Sequence, residues 1–343
     1  MKTLLYSAFD RLEVAEQPQP VIAPNEVLLR VAACGICGSE LEAYKTHSPR
    51  RPPPLVMGHE FCGVIEEVGA EVTGFSVGQK VVSNSLVPCT QCVRCRRGNT
   101  HLCADRQIFG MKRLGAFGEY VNVPQWCLIS WPDSLPAQAA CLAEPLGNGL
   151  HMLHLTEHLK PATVLVMGAG PIGLMAQQAF QTVGQATVFV TDLRAERLTV
   201  ADKLGAEQIF NGSEVDVVQA MLDLTDGEGV DLVVDAVGAA MTKRQSVAAI
   251  RPGGATVWIG LHDNEMSLNS YDVTLPEKQV FGTYATRLED LQEAVDLMES
   301  GQLDVMSWVQ TFPIEQSVEA FERMLKAEGN DIKAVLLPSP DLA

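Results

Sequence analysis

The 343-residue chain has no apolar run of about 18 residues or more, the length a helix needs to cross a bilayer, so no membrane span is expected. Its opening stretch, MKTLLYSAFDRLEV, lacks an apolar h-region and a small-residue cleavage site, so no signal peptide is expected. Positive charge is scarce: 25 Lys and Arg against 42 Asp and Glu give a net charge of −17. That balance argues against nucleic-acid and membrane partners, because both need basic surfaces. There is no internal repeat, low-complexity segment or long linker. With no secretory context, the nine cysteines are not read as a disulfide framework. Clustered cysteines in a reducing compartment are more often metal ligands or catalytic groups, and a cytoplasmic location is expected.

What is present suits two globular domains: the chain is long for one core, 47% hydrophobic and 20% charged. The central feature is Thr163–Asp192. An apolar β-branched run, Thr163–Met167, meets Gly168-Ala-Gly170-Pro171-Ile172-Gly173; a helical pattern follows, then a second β run closed by Asp192. Such a βαβ unit binds a dinucleotide. Gly168 permits the tight turn, Gly170 lets backbone approach the pyrophosphate, and Gly173 lets helix and strand pack closely. The helix N-terminus faces the phosphates. Asp192 stands at the ~20-residue spacing where an acid takes the ribose 2′-hydroxyl, which favours NAD over NADP. Arg197 is a competing feature, since an arginine here grips a 2′-phosphate in NADP enzymes. Further strands at Asp231–Asp235 and Thr256–Ile259, a turn at Arg251–Gly254, and helices at 195–204 and 242–250 continue the alternation. A parallel, doubly wound sheet is therefore expected.

Residues 1–130 read differently. Short β runs (Glu26–Ala33, Phe61–Val68, Gln79–Ser83) separated by Pro/Gly turns suggest an antiparallel barrel or sandwich. Cys89-x2-Cys92-x2-Cys95-x7-Cys103 has the spacing of a closed, structural zinc site. Free or redox-active thiols and an iron–sulfur cluster are the rival uses of four such cysteines. A dispersed second set, Cys34-x2-Cys37, His59 and a glutamate, could supply the three ligands of an open catalytic zinc. Alone, Cys34 and Cys37 could equally be a redox pair and His59 a core histidine.

Taken in order, GICGS, GHE, the four-cysteine lobe, EPLGNGLH and GAGPIG resemble the zinc-dependent medium-chain dehydrogenase/reductase (alcohol dehydrogenase) family, in its sorbitol/polyol–threonine dehydrogenase branch. The resemblance covers essentially the whole chain. It implies an α/β protein with a GroES-like β-barrel catalytic domain carrying two zinc sites (1–150), a Rossmann NAD-binding domain (151–286) and a C-terminal segment (287–343) that rejoins the first. Two helices, at 288–301 and 314–326, and a final strand at 333–337 make up that segment. The resemblance implies catalytic zinc on Cys37 and His59, with Glu60 and Glu144 completing the shell directly or through water, and Cys34 as a non-ligand neighbour. Ser39 becomes the first proton acceptor, although a turn or N-cap serine would look the same. Val237, Ile259, Leu261 and Tyr284 then flank the nicotinamide, and Arg197 coexists with Asp192 and NAD. The implied reaction is reversible oxidation of a secondary alcohol by NAD, in a homodimer or homotetramer.

Three stretches depart from the pattern or remain unassigned. Glu42 stands where a histidine commonly passes the proton outward. The stretch Gly282–Thr286 lacks the arginine with which sorbitol dehydrogenases contact the polyol. Residues 44–54 form a basic, proline-rich loop whose Lys45, His47, Arg50 and Arg51 could hold a phosphate or carboxylate, or could simply be a solvated loop. L-threonine 3-dehydrogenase and galactitol-phosphate-type dehydrogenase remain alternatives within the enzyme class. A catalytically silent NAD(H)-binding sensor is the alternative outside it.

Overall fold

The computed structural model describes residues 1–342. They form two compact units: Met1–Gly147 with the segment from Ala285 onward, and Asn148–Tyr284. Among these residues no helix is long and apolar enough to cross a membrane.

The first unit is built around one strand, Glu26–Gly35, buried almost throughout. Register shifts between Leu28 and Leu29 and between Val31 and Ala33 bend it. It pairs antiparallel with three partners: Glu60–Val68, Tyr120–Pro124 and Lys333–Leu337. A bulged strand of this kind can serve several neighbours because each bulge re-aims it. Beyond these, Lys80–Ser83, Leu128–Ser130 and Val309–Pro313 complete a seven-stranded sheet, and Arg11–Glu16, Lys2–Ala8 and Leu55–Val56 form a smaller one. Tyr6, Phe61, Phe109, Phe117 and Phe321 fill the core between them. The cross-strand partner of Gly35 is Glu60 on one side and Val335 on the other. That register carries Lys333 to the mouth of the strand where Cys37 follows.

The second unit is a six-stranded, wholly parallel sheet. Thr163–Met167 lies at its centre, with Thr187–Asp192 and Gln208–Asn211 on one side and Val230–Asp235, Ile250–Trp258 and Gln279–Gly282 on the other. This is the doubly wound order, reversing between the first and fourth strands. Strands covered on both faces need continuous apolar sequence, and Val164, Leu165, Val166, Val233 and Val234 are fully buried. One expectation is corrected here. Arg251–Gly254 is not a turn but part of strand Ile250–Trp258. The pairing jumps from Val230–Ile250 to Leu232–Ala255, so the Pro-Gly-Gly segment is a bulge. Gly253 takes φ +71° there and its N–H donates to Pro276 O at 2.8 Å.

Candidate metal centres and dinucleotide site

Cys37 follows the central strand and caps helix Gly38–Lys45. Glu40 N donates to Cys37 O at 3.0 Å, while Cys37 N donates to Glu40 Oε2, also at 3.0 Å. This reciprocal pair fixes the turn that presents the thiol. Ser39 is therefore the second residue of the helix rather than its N-cap. Its hydroxyl donates to Cys37 Sγ at 3.4 Å.

His59 enters from the start of strand Glu60–Val68, after Gly58 at φ +101°. A Cβ at Gly58 would stand 2.7 Å from the Phe117 backbone nitrogen, so only glycine lets this loop close. Glu40 Oε1 accepts from Gly58 N and sits 2.8 Å from His59 Nδ1. Holding the proton on Nδ1 leaves Nε2 as the ligating nitrogen. Burial pushes the Glu40 carboxyl up, but the charge and hydrogen bond of His59, with Arg51 and Cys37 N, hold it below its ordinary value. Burial pushes His59 down, yet Glu40 and Cys37 outweigh it and raise the imidazole well above its ordinary value.

Cys37, His59 and Glu60 bring one ligand atom each to within 4.8 Å of the others. Glu60 is also ion-paired with the buried Lys333, which donates to Ile36 O at 2.9 Å. Glu144, in the first turn of helix Ala143–Thr156, is buried but is not one of the three. Burial raises its pKa and Glu60 adds to this, while His59, a Ser85 hydrogen bond and Lys333 oppose it. Cys34 is fully buried and lies outside the group; burial first, then Glu40, Cys141 and Glu60, push its thiol well up. Glu42 is exposed and shares no hydrogen bond with Ser39 among the described residues. Negative groups converge on a histidine whose other nitrogen faces the Cys37 thiol, and this donor set fits a zinc ion.

The four-cysteine lobe is separate. Its sulfurs also lie within 4.8 Å of one another and are not in disulfides. Cys92 Sγ stands 3.5 Å from Cys95 Sγ and 3.9 Å from Cys103 Sγ. Those separations bracket the ~3.8 Å edge of a tetrahedron with ~2.3 Å zinc–sulfur bonds. Backbone N–H groups of Cys95 and Ala104 pull the Cys92 thiol down to about 6, whereas burial and the neighbouring thiols push Cys95 up to about 12. Four thiols crowded like this cannot all ionise without a cation among them, so the lobe also fits zinc.

In the second unit, Gly168 turns at φ +97° with its N–H donating to Thr191 O at 2.7 Å. Gly170 caps helix Pro171–Gln178, with Pro171 and Ile172 opening its first turn. A Cβ on Gly173 would collide with Gly168 O. Asp192 ends its strand; Oδ2 accepts from Ala169 N at 2.7 Å and Oδ1 from Arg194 N at 2.9 Å. Arg197 Nη1 lies 3.8 Å from Asp192 Oδ2, and it would lie 3.8 Å from a Cβ on Gly170. Val237 and Leu261 are exposed apolar side chains on the loops after their strands, and Ile259 and Tyr284 are half-buried. Open glycine backbone at a helix N-terminus, with an acid at the next strand end, fits a dinucleotide.

Sequence reasoning missed Glu40, Ser85 and Lys333. Only Glu40 carried a signal, its place three residues after the capping Cys37.

A β-domain with a Cys–His–Glu cluster and a cysteine lobe, joined to a dinucleotide-binding sheet, defines a zinc-containing dehydrogenase. Residues 23–133 match the alcohol dehydrogenase GroES-like domain, and residues 171–300 match the zinc-binding dehydrogenase domain. The chain belongs to the zinc-dependent medium-chain alcohol dehydrogenase family and is an oxidoreductase that uses zinc and a nicotinamide dinucleotide on a small-molecule substrate. It is 32% identical to a sorbitol dehydrogenase of Bacillus subtilis across 99% of this chain and 98% of that one. It is 35% identical to an L-threonine 3-dehydrogenase of Pyrococcus abyssi across 85% of each. The structure of galactitol-1-phosphate dehydrogenase from Escherichia coli superposes with a TM-score of 0.92 at 27% identity, covering 98% of this chain and 100% of that one.

Proposed function

We propose that this enzyme oxidises a secondary alcohol of polyol type to a ketone, with NAD as hydride acceptor. The observation that carries this reading is the Cys37–His59–Glu60 cluster with the Ser39 hydroxyl 3.4 Å from Cys37 Sγ. Cys37, His59 and a carboxylate would hold the catalytic zinc, with Glu60 the acid grouped with them and the buried Glu144 the other candidate. The lobe cysteines Cys89, Cys92, Cys95 and Cys103 would hold the structural one. Bound zinc supplies Lewis acidity toward the alcohol oxygen, and the bound nicotinamide supplies the hydride acceptor.

The chain's own residues do the rest. Ser39 takes the alcohol proton on Oγ. Glu40 keeps the His59 proton on Nδ1. Lys333 balances the buried charge of Glu60. Glu42 is exposed and shares no hydrogen bond with Ser39, so the onward proton route runs through solvent or cofactor rather than a fixed side chain. Gly168, Gly170 and Gly173 with Pro171 and Ile172 would receive the pyrophosphate, Asp192 and Arg197 the adenosine ribose, and Val237, Ile259, Leu261 and Tyr284 the nicotinamide end. Asp192 favours NAD over NADP because a carboxylate repels a 2′-phosphate. A cytoplasmic homodimer or homotetramer completes the proposal.

The test is NAD⁺ reduction by the zinc-loaded enzyme on sorbitol, galactitol, galactitol 1-phosphate and L-threonine. Turnover of a polyol or polyol phosphate supports the reading. Turnover of threonine alone moves the enzyme to the threonine branch, and no turnover with metal and NAD⁺ bound makes it a silent binder.

A further inference from the structure

Of the cationic side chains in the loop at residues 44–54, Lys45, His47 and Arg50 are exposed, while Arg51 turns inward and is 5% exposed. Backbone turns aim it. Ser48 N donates to Ala43 O at 2.9 Å and Arg51 N to Ser48 O at 3.0 Å, so the chain doubles back toward helix Gly38–Lys45. The guanidinium then makes three hydrogen bonds, and two of them end on one residue. Nη1 donates to Ser39 O at 2.8 Å and Nη2 to Ser39 Oγ at 3.3 Å. Nε donates to Gly110 O at 3.2 Å. Gly110 has little room to give way: at φ +67° its N–H donates to Arg113 O at 3.0 Å, and a Cβ there would stand 2.8 Å from Gly58 N.

The fork is thus fixed at its root and grips the backbone and side chain of Ser39 together. A planar two-donor fork sets the orientation of what it holds, which a single hydrogen bond does not. A serine hydroxyl has one hydrogen and two lone pairs, in three staggered positions about Cβ–Oγ. Arginine has no acceptor, so the position facing Nη2 is always a lone pair. One lone pair and the hydrogen share the other two. Cys37 Sγ, 3.4 Å from Oγ, accepts the hydrogen. The second lone pair is left to accept, on a residue that is exposed.

We infer that Arg51 is a positioning residue for proton transfer: it locks Ser39 so that one Oγ lone pair is held open for the hydroxyl proton of the substrate. This rests on the reading of Ser39 as the proton acceptor. In the oxidation the alcohol O–H bond breaks and its proton passes to Oγ, while the proton Ser39 already carried leaves to solvent. The C–H hydrogen leaves with its electron pair to NAD⁺. Arg51 keeps all its protons throughout and asks for no charge on the substrate, so it acts alike on every alcohol the enzyme takes.

The experiment measures kcat, KM and zinc content for zinc-loaded wild type, Arg51→Gln, Arg50→Gln, Ser39→Ala and the Arg51→Gln/Ser39→Ala double variant. The substrate is whichever of sorbitol, galactitol 1-phosphate and L-threonine wild type turns over. Arg51→Gln should lower kcat about 10- to 100-fold, the worth of a hydrogen bond from a charged donor, and keep KM and zinc content. Arg50→Gln should match wild type. In the Ser39→Ala background Arg51→Gln should change kcat by less than about 2-fold, because the two residues act as one unit. A kcat unchanged by Arg51→Gln, or one that falls as far without Ser39 as with it, overturns the inference.

A crystal structure of zinc-bound Arg51→Gln gives a readout independent of turnover. It should show Cys37 and His59 in place and Ser39 Oγ turned away or spread over several rotamers; a Ser39 side chain that has not moved overturns the inference. Should Arg51→Gln fail to fold, Arg51→Lys is read the same way, since its ammonium is a point charge without the fork that spans both Ser39 acceptors. A Ser39→Ala enzyme with wild-type kcat, or no turnover of any alcohol, overturns instead the reading of Ser39 as proton acceptor, and the inference falls with it. The Ser39 rotamer in the crystal tells that failure from an Arg51 that does not hold Ser39.

Discussion

Glu40 grips His59 from behind: one carboxylate oxygen lies 2.8 Å from both Gly58 N and His59 Nδ1, and the other accepts from Cys37 N at 3.0 Å. One buried side chain thus orients two of the zinc-ligand candidates together. Glu40→Gln keeps the shape but removes the charge that holds the Nδ1 proton. Zinc retention during dialysis against a chelator should fall by about 10- to 100-fold in affinity, the usual cost of losing such an outer-shell partner. Retention equal to wild type would show that Glu40 only shapes the loop.

Glu60 and Lys333 form a buried pair at 1–2% side-chain exposure. Burial pulls the Lys333 ammonium down, but Glu60 and Cys37 outweigh it and keep the group charged. Lys333→Met should destabilise the protein by about 3–5 kcal/mol in chemical denaturation, because it strands a buried carboxylate. Adding Glu60→Gln should recover part of that loss. The same crowding predicts that Gly35→Ala is poorly tolerated, since its Cβ would collide with Glu60 Oε2 and stand 3.0 Å from Lys333 Cε.

Asp231 ties two neighbouring strands together. Its Oδ2 accepts from Ala162 N, Thr163 N and Thr163 Oγ1 at 2.9–3.0 Å, and Oδ1 pairs with Arg251. Burial pushes its carboxyl up, but the Arg251 and Thr163 hydrogen bonds outweigh this and hold it below its ordinary value. A depressed carboxylate stabilises the fold above its unfolded pKa of ~3.9, and that stability is lost as pH falls through the lower folded value. Asp231→Asn should therefore cost about 1–2 kcal/mol at neutral pH. The gap to wild type should close on the acid side, as read from unfolding midpoints across pH.

Asp192 holds its place through Ala169 N and Arg194 N, with Arg197 3.8 Å away. Asp192→Ser removes the charge that repels a 2′-phosphate and leaves two arginines beside it. The KM ratio of NADP⁺ to NAD⁺ should fall by about 10-fold or more, near 1.4 kcal/mol. A ratio unchanged from wild type would place the discrimination elsewhere.

Much of the architecture was legible because its causes are local. Apolar β-branched runs, the glycine turn and the cysteine spacing are periodic or positional signals, and strand Thr163–Met167 and helix Ala195–Lys203 lie where such signals put them. The bulge at Arg251–Gly254 looked like a turn because Pro and Gly punctuate both, and only the register of the neighbouring strand separates them. Around the metal cluster the sequence drew notice to Glu42, yet the carboxylate that engages is Glu40, two residues earlier and on the inner face of the same helix. Lys333 was invisible for a different reason: it meets Glu60 across 273 residues of chain. Within the basic loop nothing in composition singles out Arg51 from Arg50. The difference is that one side chain folds under the loop to reach Ser39.

The most direct test of the catalytic-zinc assignment is zinc content and NAD⁺ reduction measured on the same preparations of wild type and Cys37→Ser. The account predicts about two zinc ions per chain in wild type and about one in the variant, where the cysteine lobe stays filled. It also predicts that the variant loses alcohol oxidation while NAD⁺ still binds with wild-type affinity. A Cys37→Ser enzyme that keeps both zinc ions, or that turns over alcohol at the wild-type rate, would contradict it.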